Sequence, residues 1–254
     1  MLMIVDDWHF YLVAVPAVLI YGLGKGGLGG SAGAISVPMM SLTVEPLQAA
    51  AILLPIICVM DLQVIKLFWG KFDKASLRVL IPSTIAGVAT GALLMGVLPI
   101  AGMRVMLGAI AVLFCLDHWT SARRTRTPRV PGKWAGRFWG VVAGITSTHA
   151  HAGAPPLSVY LLPRKLDKIV LAGTFGVILA VLNYVKLVPY TLLGQFDMRN
   201  LGTSLILLPL APIGVWIGFR LLHRIEQVVI YRIIYALLFL TGIKLLYDGW
   251  FGSA

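Results

Sequence analysis

Charged residues are scarce in this chain. Asp, Glu, Lys and Arg together make up 12% of its 254 residues, whereas hydrophobic residues make up 59%. A soluble globular domain carries about 25% charged residues. This composition leaves little room for a soluble domain and predicts an integral membrane protein surrounded by lipid.

Acidic residues and cysteines are scarcer still. Ten Asp and Glu face 21 Lys and Arg, for a net charge of +11. In a soluble chain that excess would indicate a nucleic-acid partner. Here the basic residues lie mostly between apolar segments, where they act as topology signals, so we expect no nucleic-acid binding. Cys58 and Cys115 lie in apolar segments without metal-ligand neighbours and are predicted to be small buried hydrophobes.

Two familiar signals are missing. The start, MLMIVDDWHF, is acidic and lacks the basic region of a cleavable signal peptide. The string GLGKGG lacks Walker spacing and has no Ser or Thr after its lysine, so it is not a nucleotide motif. We therefore expect no cofactor, and an ion gradient or the substrate's own gradient as the energy source.

Apolar segments fill most of the chain. With a span of roughly 20 residues as the guide, about ten are present: 8–21, 32–42, 48–69, 77–98, 103–119, 134–148, 152–162, 168–193, 201–222 and 228–247. Four of them are too short to span comfortably and are predicted to be tilted spans or half-helices that dip in and out. We expect an all-α integral membrane protein with about eight to ten transmembrane or re-entrant helices.

The spacing of proline and glycine indicates an internal duplication. Three residues of the first half recur in the second half with the same gaps, and the matched sets are Pro82, Gly87 and Gly91 against Pro209, Gly214 and Gly218. The sequence thus predicts a transmembrane repeat at 1–120, a basic linker at 121–133 and a second repeat at 134–254. Five segments in each repeat is an odd number, which gives the two copies opposite orientations, as in many secondary transporters.

The basic linker predicts the sidedness. It carries Arg123, Arg124, Arg126, Arg129 and Lys133. Loops rich in Lys and Arg stay on the cytoplasmic side, so we expect a cytoplasmic linker and both termini outside. The predicted location is the cell inner (plasma) membrane, crossed many times.

Two glycine-rich breaks interrupt the apolar sequence: GLGKGGLGGSAGAISVP at 22–38 and GVVAGITSTHAHAGAPP at 140–156. In lipid, irregular backbone survives only where protein buries it or where it lines a cavity, and paired breaks point to a transporter's binding site. The alternative is close helix packing through small residues. The helix N-termini that follow offer N–H groups to an oxyanion. The candidate anion-binding residues here are Gly26, Gly27, Gly29, Gly30, Ser31, Thr148, His149 and His151.

His149 is also the candidate for proton coupling. It lies about 18 Å along a helix from Arg137, near mid-membrane, and histidine titrates near neutral pH. The alternatives are a satisfied core histidine or a metal ligand. A metal site is disfavoured, because His149 and His151 do not share a helix face and no third ligand is near.

The eighth segment adds Asn183 and Lys186, three residues apart and so on one helix face. Asn183 either contacts a ligand or makes an interhelical hydrogen bond. Lys186 either snorkels to the outer interface or faces a water-filled path and offers its charge to an anion. In the third segment, Asp61 and Lys66 are predicted to neutralise each other, and Gln63 and Lys66 align with Asn183 and Lys186.

The sequence resembles the sulfite exporter TauE/SafE family over nearly its whole length. The likeness lies in the glycine-rich break before Pro38, the Gly-x-Phe-Asp turns that end at Asp73 and Asp197, the basic linker and the duplicated layout, and then in Tyr160–Pro163, Gly173, Thr174 and Asn183–Leu187. Many members repeat the glycine-rich string in the second half, where this chain has His149, Ala150 and His151. The resemblance implies a secondary carrier for sulfite, sulfoacetate or a related organosulfonate, and it alone gives the outward direction.

Together these features predict a proton-coupled secondary transporter that exports a small sulfur-containing anion by alternating access. The alternatives are a carrier of another small anion such as a carboxylate, an anion channel, and a membrane enzyme that uses His149 and His151. The sequence offers no nucleophile or metal set for catalysis, so we expect no enzyme. The expected partners are the anion and membrane lipid, and a homodimer is left open.

Overall fold

A computed structural model describes residues 4–26, 31–95, 97–121, 130–221 and 227–251, and within these ranges the chain is helical without β-strands. The first half contains α1 (Trp8–Gly26), a 3-10 helix (Ser31–Ile35), α2 (Ser36–Met40), α3 (Pro46–Leu67), α4 (Lys74–Met95) and α5 (Ile100–Ser121). The second contains α6 (Lys133–Ala150), α7 (Ala154–Leu161), a 3-10 turn (Leu162–Arg164), α8 (Lys168–Leu192), α9 (Met198–Leu207), α10 (Leu210–Leu221) and α11 (Gln227–Phe251).

Five of the described helices are long and apolar enough to cross a membrane: α1, α3, α4, α5 and α8. The pair α9 and α10, bent by 43° at its break, makes a sixth if it is one span. By contrast, α2 and α7 have five and eight residues. At 1.5 Å per residue they are about 8 and 12 Å long, too short for a core about 30 Å thick. The prediction of an all-α, multi-pass membrane protein with short non-spanning pieces is confirmed.

Both helices that precede the breaks are longer than predicted. The first helix continues past Tyr21 to Gly26, so the first five residues of the glycine-rich string belong to α1. In the second half, α6 runs to Ala150, which places Thr148 and His149 inside the helix. The irregular backbone of the second break therefore begins only at His151.

The most buried helix is α3. It is apolar on nearly all sides, and the side chains of residues 49–54 are fully buried. A helix that is hydrophobic all round is expected at the centre of its bundle. It contacts α1, α8, α9 and α10, so groups on α3 are placed to bond with both halves of the chain.

Packing between the halves follows an exchange pattern. The helix pairs α4–α6 and α1–α10 pack closely, as do α5–α11 and α3–α8. The counterparts in the two halves are α1 and α6, α3 and α8, α4 and α9–α10, and α5 and α11. If each helix is exchanged for its counterpart, the α4–α6 pair becomes the α1–α10 pair. The α5–α11 and α3–α8 pairs are unchanged by the exchange. A duplicated unit produces this pattern.

Glycines make the two equivalent crossings possible. A Cβ on Gly22 would lie 2.8 Å from Gly214 Cα, and one on Gly144 would lie 2.6 Å from Gly87 Cα. Real Cβ atoms essentially never come that close to backbone. The alternative explanation for glycine in the breaks, close helix approach, therefore holds for Gly22 and Gly144.

Asp73 begins α4 as its N-cap. Its carboxylate accepts hydrogen bonds from Ser76 N at 2.9 Å, Ser76 Oγ at 2.6 Å and Ala75 N at 3.3 Å. Asp197 accepts a bond from Asn200 N at 2.7 Å at the start of α9, which is the matching place in the second half. Partial burial raises the pKa of Asp73, but the bonds from Ser76 and Ala75 outweigh it and leave the pKa below its usual value.

We expect Asp73→Ala to lower the free energy of unfolding by about 1 kcal/mol at neutral pH, the usual cost of a lost N-cap. Because the folded-state pKa of Asp73 is depressed, the extra stability of the parent is present above the unfolded pKa and disappears as pH falls through the folded pKa. Thermal unfolding of both proteins at neutral and acidic pH measures this difference in stability. Asp117→Ala, at an exposed position late in α5, is the matched control and should change little. An undiminished difference at acidic pH would contradict the capping role.

Candidate functional site

A buried ion pair joins α1 to α3. Lys25 and Asp61 are 8% and 0% exposed, and the Lys25 ammonium contacts Asp61 Oδ1 directly. The other carboxylate oxygen, Oδ2, accepts a 2.6 Å hydrogen bond from Asn183 Nδ2 of α8. Three helices from both halves therefore meet at one carboxylate.

This pairing corrects the prediction that Asp61 and Lys66 neutralise each other. Lys66 is exposed, and the partner of Asp61 is Lys25. Lys66 and Lys186 were also predicted to be equivalent, yet Lys186 is fully buried. Gln63 is half-buried, and its Oε1 finds no hydrogen-bond partner in the described part of the chain. The likeness of the two predicted repeats thus stops at these polar positions.

Lys186 is more deeply buried than either predicted position, at the outer interface or facing a water-filled path. It is fully buried, so it does not snorkel to the interface. Its ammonium contacts Ser147 O and Ser147 Oγ at 3.0 Å each, and His151 Nδ1 at 2.7 Å. These neutral groups take all three ammonium protons. No ion pair to Lys186 occurs among the described residues.

His151 ends α6 in a left-handed conformation, with φ 51° and ψ 26°. Its N–H bonds to Ser147 O, which closes the helix. Its ring bonds Ala50 O through Nε2 at 2.9 Å. Since that carbonyl only accepts, Nε2 carries the proton, and Nδ1 is free to accept from Lys186. His151 is therefore a neutral acceptor that ties α6 to α3 and α8.

Two tyrosines enclose this cluster. Tyr190 donates to Thr148 O at 2.7 Å and stacks on the His151 ring. Tyr21 donates to His151 O at 3.4 Å and meets the same ring edge-on. Because Tyr21 lies one turn before Lys25, the ends of α1 and α6 are held together where both helices break off.

The two breaks also touch directly, since the 3-10 helix Ser31–Ile35 contacts α7. Of the predicted first-break residues, Gly26 packs against α10, where an added Cβ would lie 2.7 Å from Phe219 N. Gly27, Gly29 and Gly30 lie outside the described residues, as does the side chain of Ser31. Thr148 bonds back to Gly144 O at 2.8 Å, and its side chain faces Gly91 of α4.

His149 points away from this cluster. Its Nδ1 bonds to Ile145 O at 3.1 Å within α6, and its buried Nε2 has no partner among the described residues. That side of the ring borders a small cavity, lined further by Pro46, Leu47, Met95, Met103, Met106 and Leu107. The structure therefore separates His149 from His151, as their i, i+2 spacing predicts.

This separation predicts opposite stability effects for the two histidines. Replacing an unsatisfied buried group by an apolar one of similar size is neutral or stabilising, so His149→Leu should keep or raise the free energy of unfolding by up to about 1 kcal/mol. His151→Leu should lower it by about 2–5 kcal/mol, because it removes two hydrogen bonds and places Leu in the left-handed region. Thermal unfolding in one detergent compares them, each serving as the control for the other. The reverse order would contradict this assignment.

Four residues of the cluster are absent from the predicted site: Lys25, Tyr21, Ser147 and Tyr190. A signal for Tyr190 was present, since Asn183, Lys186 and Tyr190 at i, i+3 and i+7 share one face of α8. Lys25 and Tyr21 lie one helical turn apart on α1. Their partners are on other helices, which spacing within α1 does not show.

The five or six candidate spans among the described helices, the short helices at two breaks and the buried polar cluster between them define a multi-pass α-helical membrane protein with an ionisable centre. The family model "Sulfite exporter TauE/SafE" matches residues 14–245. The chain therefore belongs to the sulfite exporter TauE/SafE family, whose members are membrane transporters of sulfite and related organosulfur anions. Searches of curated proteins and of solved structures give no match.

Proposed function

We propose that this protein is a secondary transporter that exports sulfite, sulfoacetate or a related organosulfonate by alternating access, coupled to protons. The observation that carries the proposal is Lys186, a fully buried ammonium that no carboxylate balances in the described part of the chain. The transport class follows from the family, and the choice of anion rests on the resemblance. A transporter family is consistent with the absence of enzymatic activity.

The charge of the cluster supports an anionic substrate. As ionised groups, Lys25 and Asp61 balance each other, and Lys186 leaves one positive charge enclosed by helices. A buried charge without a counter-ion is costly, and ionisable residues inside membrane proteins mark substrate and ion pathways. A small anion at Lys186 supplies the missing negative charge.

Lys186 also lies where movement is possible. Its oxygen partners both come from Ser147, near the end of α6, and His151 forms the helix terminus itself. An oxyanion that enters replaces the Ser147 oxygens at the ammonium, so binding is linked to the position of the second break. From the predicted set we assign His151, Asn183 and Lys186 to this site or its support. Gly27, Gly29, Gly30 and Ser31 remain predicted ligands through their backbone N–H groups.

The exchange pattern of helix packing supports two copies of one unit on either side of this centre. With an odd number of segments per unit, we infer inverted orientations, a cytoplasmic linker and external termini in a cell inner membrane. Rocking of one unit against the other around Lys186 then exposes the site to alternate sides of the membrane.

Counterflow in proteoliposomes tests the proposal. Vesicles loaded with unlabelled sulfite are diluted into a trace of labelled sulfite, and we expect the label to accumulate transiently inside. External sulfoacetate should compete, and acetate should not. Equilibration of the label without an overshoot would indicate a channel. Competition by acetate alone would indicate a carboxylate carrier, and either result would overturn the proposal.

A further inference from the structure

The Lys25–Asp61 pair lies at the end of α1, within the first glycine-rich break. Lys25 is the penultimate residue of α1, and the glycine-rich string continues directly after Gly26. Asp61 is in the C-terminal third of the central helix α3, and Asn183 of α8 donates a hydrogen bond to its second oxygen. The pair therefore joins the end of α1, where the glycine-rich string continues, to the central helix α3.

We propose that Lys25 is a second ligand for the transported anion and that Asp61 is the proton-binding site coupled to it. This inference rests on the proposed function. When the Lys25 ammonium turns from Asp61 to the anion, the Asp61 carboxylate takes up one proton from a solvent hydronium ion. The O–H bond of the hydronium breaks, an O–H bond forms on Asp61, and water is left. The anion and the proton then move together.

The contacts of Asp61 explain the linkage. Its carboxylate is fully buried and accepts hydrogen bonds from Lys25 and Asn183. Without Lys25 it would keep one amide donor and an uncompensated negative charge, which is strongly unfavourable inside a protein. Protonation removes that charge and turns one oxygen into a donor. Binding of an anion at Lys25 therefore favours protonation of Asp61, and protonation of Asp61 favours binding by the same factor.

The charge balance fixes the ratio. Before binding, with all three groups ionised, Lys25, Asp61 and Lys186 carry one net positive charge. After a monovalent anion and one proton have entered, two ammonium groups, a neutral carboxyl and the anion again carry one. One proton per monovalent anion leaves the buried charge unchanged, and one proton with a dianion such as sulfite or sulfoacetate neutralises it.

Other titratable groups face Asp61 from α1, α3 and α8. Tyr21 and Lys25 belong to α1, Cys58 is on α3 itself, and Tyr184 and Lys186 are on α8. Behind Lys186 lies His151, whose nitrogens are both bonded. Among these named groups, Asp61 is the one that carries a carboxylate. His149, the proton carrier predicted from sequence, borders the separate methionine-lined cavity and contacts neither lysine of the cluster.

Proton uptake on binding tests the inference. The full-length protein in detergent is held in weakly buffered solution with a pH indicator, and methanesulfonate, which stays ionised, is added as the probe. We expect uptake of about one proton per anion bound, and an affinity that rises about tenfold per unit fall in pH wherever Asp61 is ionised in the free protein. Asp61→Asn should show no uptake and pH-independent binding. Asp61→Glu should restore uptake, and His149→Gln should keep it.

The double variant Lys25→Met/Asp61→Asn tests the lysine without leaving an unpaired buried charge, and it covers the case in which Asp61→Asn alone does not fold. We expect it to bind the probe at least tenfold more weakly than the parent at low pH. Equal affinity, or proton uptake that survives Asp61→Asn or vanishes in His149→Gln, would overturn the inference. Binding by the parent without proton uptake would overturn it and leave the proposed function standing. If the parent binds neither methanesulfonate, sulfite nor sulfoacetate, both fail.

Discussion

Lys186→Met should abolish the binding of sulfite. Methionine keeps most of the length of the side chain and removes the ammonium, which is the unbalanced positive charge of the buried cluster. Losing a charged hydrogen-bond partner for a buried anion costs about 2–5 kcal/mol, or roughly 30- to 5,000-fold in affinity. Titration calorimetry of parent and variant with sulfite measures the difference.

The same variant should remain folded. Replacing a buried charge by an apolar side chain of similar volume is often neutral or stabilising, so the thermal unfolding temperature of Lys186→Met should equal or exceed that of the parent. Lys66→Met is the matched control, because Lys66 is the aligned lysine of the first half but is exposed. It should bind sulfite like the parent. Equal sulfite affinity in Lys186→Met and the parent would remove Lys186 from the site.

Gly22→Ala and Gly144→Ala should each lower the free energy of unfolding by about 3 kcal/mol, at the upper end of the range for overpacking. The added methyl group would meet backbone atoms of Gly214 and Gly87 at 2.8 and 2.6 Å, and backbone at a helix crossing cannot turn aside as a flexible side chain does. Because the two crossings correspond in the predicted repeat, we expect effects of similar size. Unfolding in detergent, followed by circular dichroism, measures both.

Gly102→Ala is the control for both substitutions. It lies in α5, where the nearest atom to an added Cβ is Pro99 Cδ at an ordinary 3.4 Å, and alanine favours helix over glycine by about 1 kcal/mol. This variant should be as stable as the parent or more so. If all three substitutions had the same effect, the crossings would not depend on their glycines.

Composition and spacing predicted the architecture well, because the membrane restricts the choices of the chain. Lipid excludes exposed irregular backbone, so long apolar segments must be helices, and the glycine-rich strings had to be breaks. The short segments at 32–42 and 152–162 became α2 and α7, which do not span. Helix ends were less predictable: Thr148 and His149 proved helical because α6 closes only with the left-handed His151.

The candidate site was predicted in part. Asn183 and Lys186 share one face of α8 and both point inward, as their spacing indicates. The wrong pairing of Asp61 with Lys66 came from looking within one helix. Five residues separate these two, so they lie on different sides of α3, whereas Lys25 reaches Asp61 from another helix. Partners between helices depend on crossing geometry, which sequence periodicity alone does not contain.

The histidines show the same limit. The sequence analysis placed His149 near mid-membrane and assigned both His149 and His151 to the anion. The structure gives them different surroundings: His151 is bonded to Ala50 O and Lys186, whereas His149 Nε2 borders an apolar cavity without a partner in the described residues. A two-residue offset at a helix end was enough to turn the two rings toward different neighbours.

The most direct test of the central claim is anomalous diffraction from crystals of the parent protein soaked with selenite, a heavier analogue of sulfite. The account predicts a selenium peak within hydrogen-bonding reach of Lys186 Nζ, between the end of α6 and the first break, and no such peak in Lys186→Met. A peak confined to the basic linker or to the cavity beside His149, with Lys186 still bonded to Ser147 and His151, would contradict it.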